Sequence, residues 1–166
     1  MSVIDKIEAA ARHKGTVTGL ATGFYDLDYK TSGLQPSDLI LIAARPSMGK
    51  TAFVLNLAQY MCVRNHVPTA IFSLEMSKDQ LVNRILSMES KVDSQSMRTG
   101  TLQPADWEKL IESAGVISTA PLIIDDTPGI SITELRSKCR KYKLENDLGL
   151  VIIDYLQLMT GGSKKQ

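Results

Sequence analysis

The sequence predicts an α/β fold in which a parallel sheet carries helices on both faces. Four short apolar runs suited to buried strands alternate with segments of helical periodicity, and the connections are long enough for parallel crossovers. A Gly-Lys-Thr sequence follows the first run, and an acidic residue follows each of the other three. Because the carboxyl ends of parallel strands meet at one edge of a sheet, we expect these polar groups to lie together there.

Composition sets broad limits on the class of protein. The 166 residues carry a net charge of +1, and 43% are hydrophobic, which suits one globular domain with a substantial core. The near-neutral charge gives no overall attraction to nucleic acid or membrane. No apolar run is long enough to cross a membrane, so no membrane partner is expected. The two cysteines lack metal-ligand spacing, as expected of reduced thiols in a cytoplasmic protein.

Two short helices are predicted before the first strand. Residues 2–13 have a thin apolar stripe at helical spacing, but so short a helix is marginal in water on its own. The residues alone leave open whether it docks on its own domain or a neighbouring subunit, or remains a frayed tail. A second helix is expected to start after Thr22, with Phe24 and Leu27 facing inward.

The predicted strands and helices then alternate along the chain. Residues 39–43 are apolar throughout, as expected of a strand covered on both faces. Helix starts are predicted at two capping boxes, Ser77 with Gln80 and Ser131 with Glu134. The remaining strands are expected at 69–74, 122–124 and 150–153, with a helix at 51–64 after the first strand.

Residues 44–51, Ala-Arg-Pro-Ser-Met-Gly-Lys-Thr, predict a phosphate-binding loop. They depart from the pattern G-x-x-x-x-G-K-[ST] only in Ala44, which replaces the first glycine. Unpaired backbone N–H groups and the aligned peptide dipoles at a helix start attract anions. The Lys50 ammonium would reach the β- and γ-phosphates, and the Thr51 hydroxyl would hold Mg²⁺. We expect the phosphates to be bound by Ser47, Met48, Gly49, Lys50, Thr51 and Ala52.

The acidic residues at the strand ends predict metal-assisted phosphoryl transfer. Asp154 occupies the usual place of the carboxylate that holds Mg²⁺, mostly through water. Glu75 is expected to orient and deprotonate an attacking water. Alternatively, Asp154 only marks the end of a buried strand, and Glu75 is a solvated residue at the start of the next helix. Asp125 and Asp126 are weaker candidates, because they could instead cap the following turn.

A basic helix near the end of the chain is a further candidate. The cations fall on several helix faces and acidic residues flank them, so a solvated helix surface is favoured over a nucleic-acid patch. The five residues are Arg136, Lys138, Arg140, Lys141 and Lys143.

Several segments together resemble the bacterial replicative DNA helicases of the DnaB type. The likeness covers nearly the whole chain and keeps the order of the family's motifs, and an alanine at position 44 is normal for that family. The segments are Ala43 to Phe53, Phe72 to Met76, Asp125 to Gly129 and Ile153 to Met159; Thr18-Gly19, Thr22 to Phe24, Asp26 to Asp28 and Leu34 to Leu39 also match.

The resemblance implies a RecA-like P-loop NTPase fold in which residues 16–166 form the first part of an ATPase core and residues 1–15 a linker helix that packs on an adjacent subunit. It implies a homo-hexamer around single-stranded DNA, with ATP and Mg²⁺ bound between subunits and with primase and a helicase loader as partners. Lys50 and Glu75 would be catalytic, and Thr51 and Asp154 would hold the metal.

The chain is expected to be a truncated piece of such a helicase. The family's later part supplies further strands, DNA-contacting loops and an arginine finger, so we expect weak nucleotide binding and little hydrolysis from the fragment. Two alternatives stay open at this point: another RecA-like ATPase, such as a recombinase or clock-type protein, and a non-catalytic module that binds a neighbouring subunit or a loader.

Overall fold

The computed structural model describes residues 2–12 and 17–159 of the chain. They fall into two compact units, Met1–Met48 and Gly49–Gln166. The predicted boundary between a linker and the ATPase core, between residues 15 and 16, lies outside the described residues and stays a prediction.

The first helix of the chain, α1, spans Val3–Arg12, which confirms the predicted helix. Its apolar stripe is exposed, with Ile4 at 68% and Ile7 at 62% of full exposure, and no residue of the helix is buried. A ten-residue helix has little intrinsic stability in water, so its apolar stripe is the part that would gain most from a packing partner.

The second helix, α2, spans Tyr25–Thr31 and is anchored by a buried carboxylate. Asp28 accepts hydrogen bonds from the Thr22 hydroxyl at 2.7 Å and from the Thr22 backbone N–H at 3.0 Å. The inward orientation predicted for Phe24 and Leu27 is wrong, since they are 40% and 37% exposed. Asp28 is the buried residue of this short helix, because its carboxylate accepts the backbone N–H groups of the preceding turn.

The strand predicted at residues 39–43 is absent from the structure. This segment has no regular secondary structure, and its side chains are exposed, Leu39 to 86% and Leu41 to 74%. Apolar composition indicates that a segment suits a half-buried or buried sheet, but a strand exists only where its backbone groups pair with a neighbour. None of the strand pairings in the described part of the chain includes this segment.

The second unit is built on a three-stranded parallel sheet in the order β2-β1-β3. The predicted strands are confirmed as β1 at Thr69–Ser73, β2 at Leu122–Asp125 and β3 at Leu150–Asp154. The register pairs Phe72 with Asp125 on one side, and Ser73 with Asp154 on the other. All five residues of the central strand are buried.

Apolar side chains of β1 pack against helices on both faces of the sheet, as predicted. Ile71 lies in one cluster with Leu55 and Ile85 of two helices. Ala70 and Phe72 belong to a second cluster, which includes Leu135 and Tyr142 of another helix. The alternation follows from the strand, whose successive side chains point to opposite faces.

Two helices of the second unit begin at the predicted capping residues, α4 (Lys78–Ser90) and α7 (Ile132–Asn146). The reciprocal Ser77–Gln80 capping box opens α4, with N···O distances of 3.0 and 3.3 Å. The Ser131 hydroxyl accepts the Glu134 backbone N–H at 3.1 Å at the start of α7. The helices are α3 Lys50–Ala58 with its π-helical continuation Gln59–Arg64, α4 Lys78–Ser90, α5 Ser94–Thr99, α6 Pro104–Ser118, α7 Ile132–Asn146 and the 3-10 helix Leu156–Leu158.

Replacing Phe72 by Ala should destabilise the second unit strongly. Phe72 is 1% exposed in the central strand, and truncating a buried phenylalanine costs about 3–5 kcal/mol in transfer free energy and cavity formation. Urea denaturation followed by circular dichroism measures the free energy of unfolding. Leu144→Ala, at a side chain that is 87% exposed, is the matched control and should change it by less than about 0.5 kcal/mol. Equal losses in both variants would contradict the assigned core.

Candidate functional site

The N-terminus of α3 carries the glycine, lysine and threonine of the predicted phosphate loop. Gly49 is the N-cap, with φ at 84°, and an added Cβ there would meet no atom within 4 Å. Glycine is therefore favoured by the backbone conformation rather than by lack of space. The helix begins with the bond from the Phe53 N–H to the Gly49 carbonyl at 2.9 Å, so the N–H groups of the first turn have no partner within the helix.

The remaining loop residues belong to the other unit and form a turn of their own. The Met48 N–H donates to the Arg45 carbonyl at 3.3 Å, and Ser47 has a positive φ of 63°. Met48 is 72% exposed. The strand expected before the loop is missing, so the structure contains the loop and the helix but not the full strand-loop-helix order.

Asp154, the last residue of β3, lies beside the start of α3. The Thr51 hydroxyl donates to Asp154 Oδ2 at 3.1 Å, and Lys50 Nζ is 3.5 Å from Asp154 Oδ1. Asp154 is only 4% exposed, and within the described part of the chain its Oδ1 accepts no hydrogen bond. A buried carboxylate oxygen without a hydrogen bond is costly, so this atom is available to a further donor or a cation.

Glu75 lies at the same edge of the sheet. The N–H of Leu74, the residue before it, donates to the Asp154 carbonyl at 2.8 Å, which extends the β1–β3 pairing past Ser73. The Ser73 hydroxyl donates to the Met76 carbonyl at 2.7 Å and tightens the turn that carries Glu75. The Glu75 side chain is exposed. Its predicted role as the base is not tested by these contacts.

Asp125 is held by hydrogen bonds at the end of β2. It accepts the Thr127 N–H at 2.9 Å and pairs with Lys138 Nζ at 2.6 Å. Burial alone would raise the pKa of the Asp125 carboxyl, but the hydrogen bonds from Lys138 and Thr127 outweigh it and hold that pKa below its ordinary value. The bond to Asp125 raises the pKa of Lys138. Asp125 therefore has a structural partner for each carboxylate oxygen.

Asp126 supports a helix start instead of a catalytic step. Its Oδ2 accepts the backbone N–H of Lys78, the first residue of α4, at 2.8 Å. A carboxylate at a helix N-terminus stabilises the helix by satisfying a free N–H and by its charge.

The basic helix α7 does not present five free cations. Lys138 pairs with Asp125, and Lys143 Nζ lies 3.0 Å from Asp147 and donates to the Leu148 carbonyl at 3.2 Å. Two of the five cations are therefore paired within the molecule, which favours a solvated helix surface over a nucleic-acid patch.

Cysteines and other metal ligands form no separate centre in the residues that the structure describes. No group of three or more His, Cys, Asp and Glu side chains gathers there in a way that could hold a metal. Burial raises the pKa of the Cys62 and Cys139 thiols, with hydrogen bonds from Thr69 partly offsetting it at Cys62. Both are free thiols.

Tyr155 is a site residue that the sequence analysis missed. Lys50 Nζ lies 4.2 Å from the centroid of its ring, within the range of a cation–π interaction. The only signal in the sequence is its position directly after Asp154, and neighbours along a chain do not predict which side chain lies over a lysine from another element.

The sheet, the Gly-Lys-Thr helix start and the acid at the end of a neighbouring strand together define a RecA-like P-loop NTPase fold. A family model described as the DnaB-like helicase C terminal domain matches residues 19–166. The chain belongs to that family.

Individual relatives agree with the family match. The replicative DNA helicase DnaB of Geobacillus stearothermophilus is 50% identical over 162 residues, which make up 98% of this chain and 36% of that protein. The replicative DNA helicase DnaC of Bacillus subtilis (strain 168) is 49% identical with the same coverage. The chain thus spans a little over a third of the length of these relatives.

A solved structure gives the same result for the fold. The structure of a DnaB-like replicative helicase and its interactions with primase superposes with a TM-score of 0.88 at 34% identity, over 99% of this chain and 40% of that one.

In the described ranges no helix has the length and apolar character needed to cross a bilayer.

Replacing Lys138 by Met should produce a stability loss that depends on pH. At neutral pH the variant leaves Asp125 charged and without its ion-pair partner, which costs roughly 1–3 kcal/mol. Because the folded-state pKa of Asp125 is lowered, the stabilisation is fully present above the unfolded-state value of about 3.9 and is lost as the pH falls through the folded-state value. The free energy of unfolding, measured from pH 7 downward, should therefore converge for the two proteins in acid.

Lys141→Met on the same helix is the control for this measurement. Lys141 is exposed, so the loss of its charge should change the free energy of unfolding by less than about 0.5 kcal/mol. If the free energies of unfolding of wild type and Lys138→Met differ by the same amount at neutral and at acid pH, the ion pair is not the source of the difference.

Proposed function

We propose that this chain is the nucleotide-binding part of an ATP-dependent replicative DNA helicase motor. Such a motor binds and hydrolyses ATP to translocate on single-stranded DNA and unwind duplex. The observation that carries the proposal is the contact of the Asp154 carboxylate with both Lys50 and Thr51 at the start of α3. The two relatives named replicative DNA helicases above, at 50% and 49% identity, give the reaction its biological context.

The start of α3 supplies the groups for the phosphates of ATP. The N–H groups of Lys50, Thr51 and Ala52 have no partner within the helix, and together with the positive end of the helix dipole they favour an anion. The Lys50 ammonium adds a full charge next to them. Ser47 and Met48 are proposed as phosphate-binding residues on the loop pattern alone.

The residues present fit a magnesium ion. Asp154 Oδ1 is buried and accepts no hydrogen bond among the described residues, and Oδ2 lies 3.1 Å from the Thr51 hydroxyl. Mg²⁺ prefers hard oxygen ligands and is commonly held by one or two protein oxygens, water and the substrate's phosphates. Thr51 and Asp154 would hold the ion, which would neutralise charge on the phosphates.

Glu75 is proposed as the residue that orients and deprotonates the attacking water. The backbone of the preceding residue, Leu74, is bonded to the end of β3 at the Asp154 carbonyl. The Glu75 carboxylate is exposed and forms no ion pair with any residue that the structure describes, so it can contact a water molecule directly. A free carboxylate at this place is suited to position a nucleophile, since it cannot also neutralise the phosphates.

The assembly is proposed by family membership. A homo-hexamer around single-stranded DNA would place each nucleotide between subunits, and the exposed stripe of α1 would pack on an adjacent subunit. Primase is a proposed partner because one solved relative is described with its interactions with primase. We further propose that a helicase loader is a partner and that the protein is cytoplasmic.

Lys50→Ala should weaken binding of a fluorescent ATP analogue by about tenfold to a hundredfold. A hydrogen bond to a charged group contributes about 1.5–3 kcal/mol, and each 1.4 kcal/mol corresponds to a factor of ten. Equilibrium titration monitored by fluorescence anisotropy gives the Kd. Lys141→Ala removes the same charge from an exposed position on α7 and should bind as wild type does. Equal affinity of wild type and Lys50→Ala would exclude this phosphate site.

Asp154→Asn should remove the dependence of nucleotide binding on Mg²⁺. The amide keeps the shape of the buried side chain but lacks the charge that favours the ion. Titration of the analogue with and without Mg²⁺ should show tighter binding with the ion for wild type, and no such difference for the variant. Asp126→Asn is the control, because that carboxylate holds α4 and not the site. An unchanged Mg²⁺ effect in Asp154→Asn would refute the metal assignment.

A further inference from the structure

The Lys50 ammonium makes two different contacts at the start of α3. Its ammonium nitrogen lies 3.5 Å from Asp154 Oδ1 and 4.2 Å from the ring centroid of Tyr155. A direct hydrogen bond between an ammonium and a carboxylate is shorter, about 2.7–2.9 Å. The carboxylate therefore attracts the charge without fixing its direction, and the aromatic ring supplies the second constraint.

The ring of Tyr155 is carried on a backbone fixed on both sides. Before it, the Asp154 carbonyl accepts the Leu74 N–H at 2.8 Å, which ties it to the neighbouring strand. After it, the Tyr155 carbonyl accepts the Leu158 N–H at 3.2 Å in the short 3-10 helix. A side chain on such a backbone provides a stable surface for a flexible partner.

We propose that Tyr155 is a positioning residue that holds the Lys50 ammonium beside Asp154 at the start of α3. A lysine side chain loses considerable rotamer freedom when it binds a ligand, and a contact formed beforehand reduces that cost. The inference rests on the proposed function where it concerns phosphate, since the benefit appears only if Lys50 binds the nucleotide.

The contact with the ring is compatible with phosphate binding. An ammonium has three N–H donors, and the ring face and one carboxylate oxygen together leave a donor for a phosphate oxygen. The ring is neutral and makes its contact through its face, so it does not compete with the phosphate as a second anion would. Tyr155 therefore favours the bound position of Lys50 instead of holding it away from the ligand.

A series of variants at Tyr155 tests this role through nucleotide affinity. Tyr155→Leu removes the ring and should weaken binding of the fluorescent ATP analogue about two- to fivefold, the effect expected of a cation–π contact at a partly exposed site. Tyr155→Phe keeps the ring face and should restore binding. Phenylalanine analogues with increasing numbers of ring fluorines at this position should weaken binding step by step at nearly constant volume. Tyr29→Leu, at a tyrosine that is 90% exposed, is the matched control.

The contact itself is tested without nucleotide. The ε-methylene protons of Lys50 should show an upfield ring-current shift in an NMR spectrum of the whole chain, assigned by its absence in Lys50→Met. The shift should persist in Tyr155→Phe and vanish in Tyr155→Leu.

The outcomes distinguish the positioning role of Tyr155 from the proposed nucleotide binding. Absence of the upfield signal from wild type, or affinities that do not change along the fluorine series, would overturn the positioning role. An upfield signal that depends on Tyr155, together with no nucleotide binding by wild type, would support the contact and refute the proposed function.

Discussion

The arrangement at the site depends on one buried carboxylate, that of Asp154. At 4% exposure its charge has lost most of its hydration, and an isolated charge in such surroundings is strongly unfavourable. Lys50 and Thr51 compensate that charge from a different element, so Asp154 ties the end of β3 to the start of α3. The electrostatic requirement of one residue thereby brings together the cation, the hydroxyl and the acid.

The fold of the second unit followed largely from simple patterns, whereas the strand predicted in the first unit is absent for a physical reason. The strands at 69–73, 122–125 and 150–154 are short apolar runs separated by helices, and the central one is buried on both faces, so composition and periodicity were sufficient. The segment 39–43 has the same composition but no strand. Pairing is a property of two segments, and composition describes only one of them.

The candidate site was likewise predicted only in part. The predicted proximity of Lys50, Thr51 and Asp154 is confirmed, but the reason for it differs from the expected one. The strand expected before the loop is absent, and the start of α3 meets the end of β3 through the contacts of Thr51 and Lys50 with Asp154. Tyr155 could not be found from the sequence, since its role comes from the direction of a ring relative to a lysine about a hundred residues earlier in the chain. Patterns in the sequence locate backbone positions well, but they do not specify side-chain directions.

The three strand ends carry similar acidic residues in different surroundings, which shows how little a residue type decides alone. Asp125 is neutralised by Lys138 and the turn at Thr127, so it has little to offer a ligand. Glu75 is exposed, whereas Asp154 is buried with one oxygen that accepts no hydrogen bond from the described residues. Environment therefore separates a structural acid, an accessible acid and an acid suited to a cation.

The balance of charge at this edge links the nucleotide to the metal. Around Asp154 itself, Lys50 contributes one positive charge, while Asp154 and Glu75 contribute two negative charges, so these three side chains alone repel a polyphosphate. The helix dipole of α3 offsets only part of that repulsion, because it amounts to about half a charge. A divalent cation next to Asp154 would reverse the sign of the local charge. Under the proposed function, the nucleotide and Mg²⁺ are therefore expected to bind cooperatively, because the ion would offset the charge of the acidic side chains.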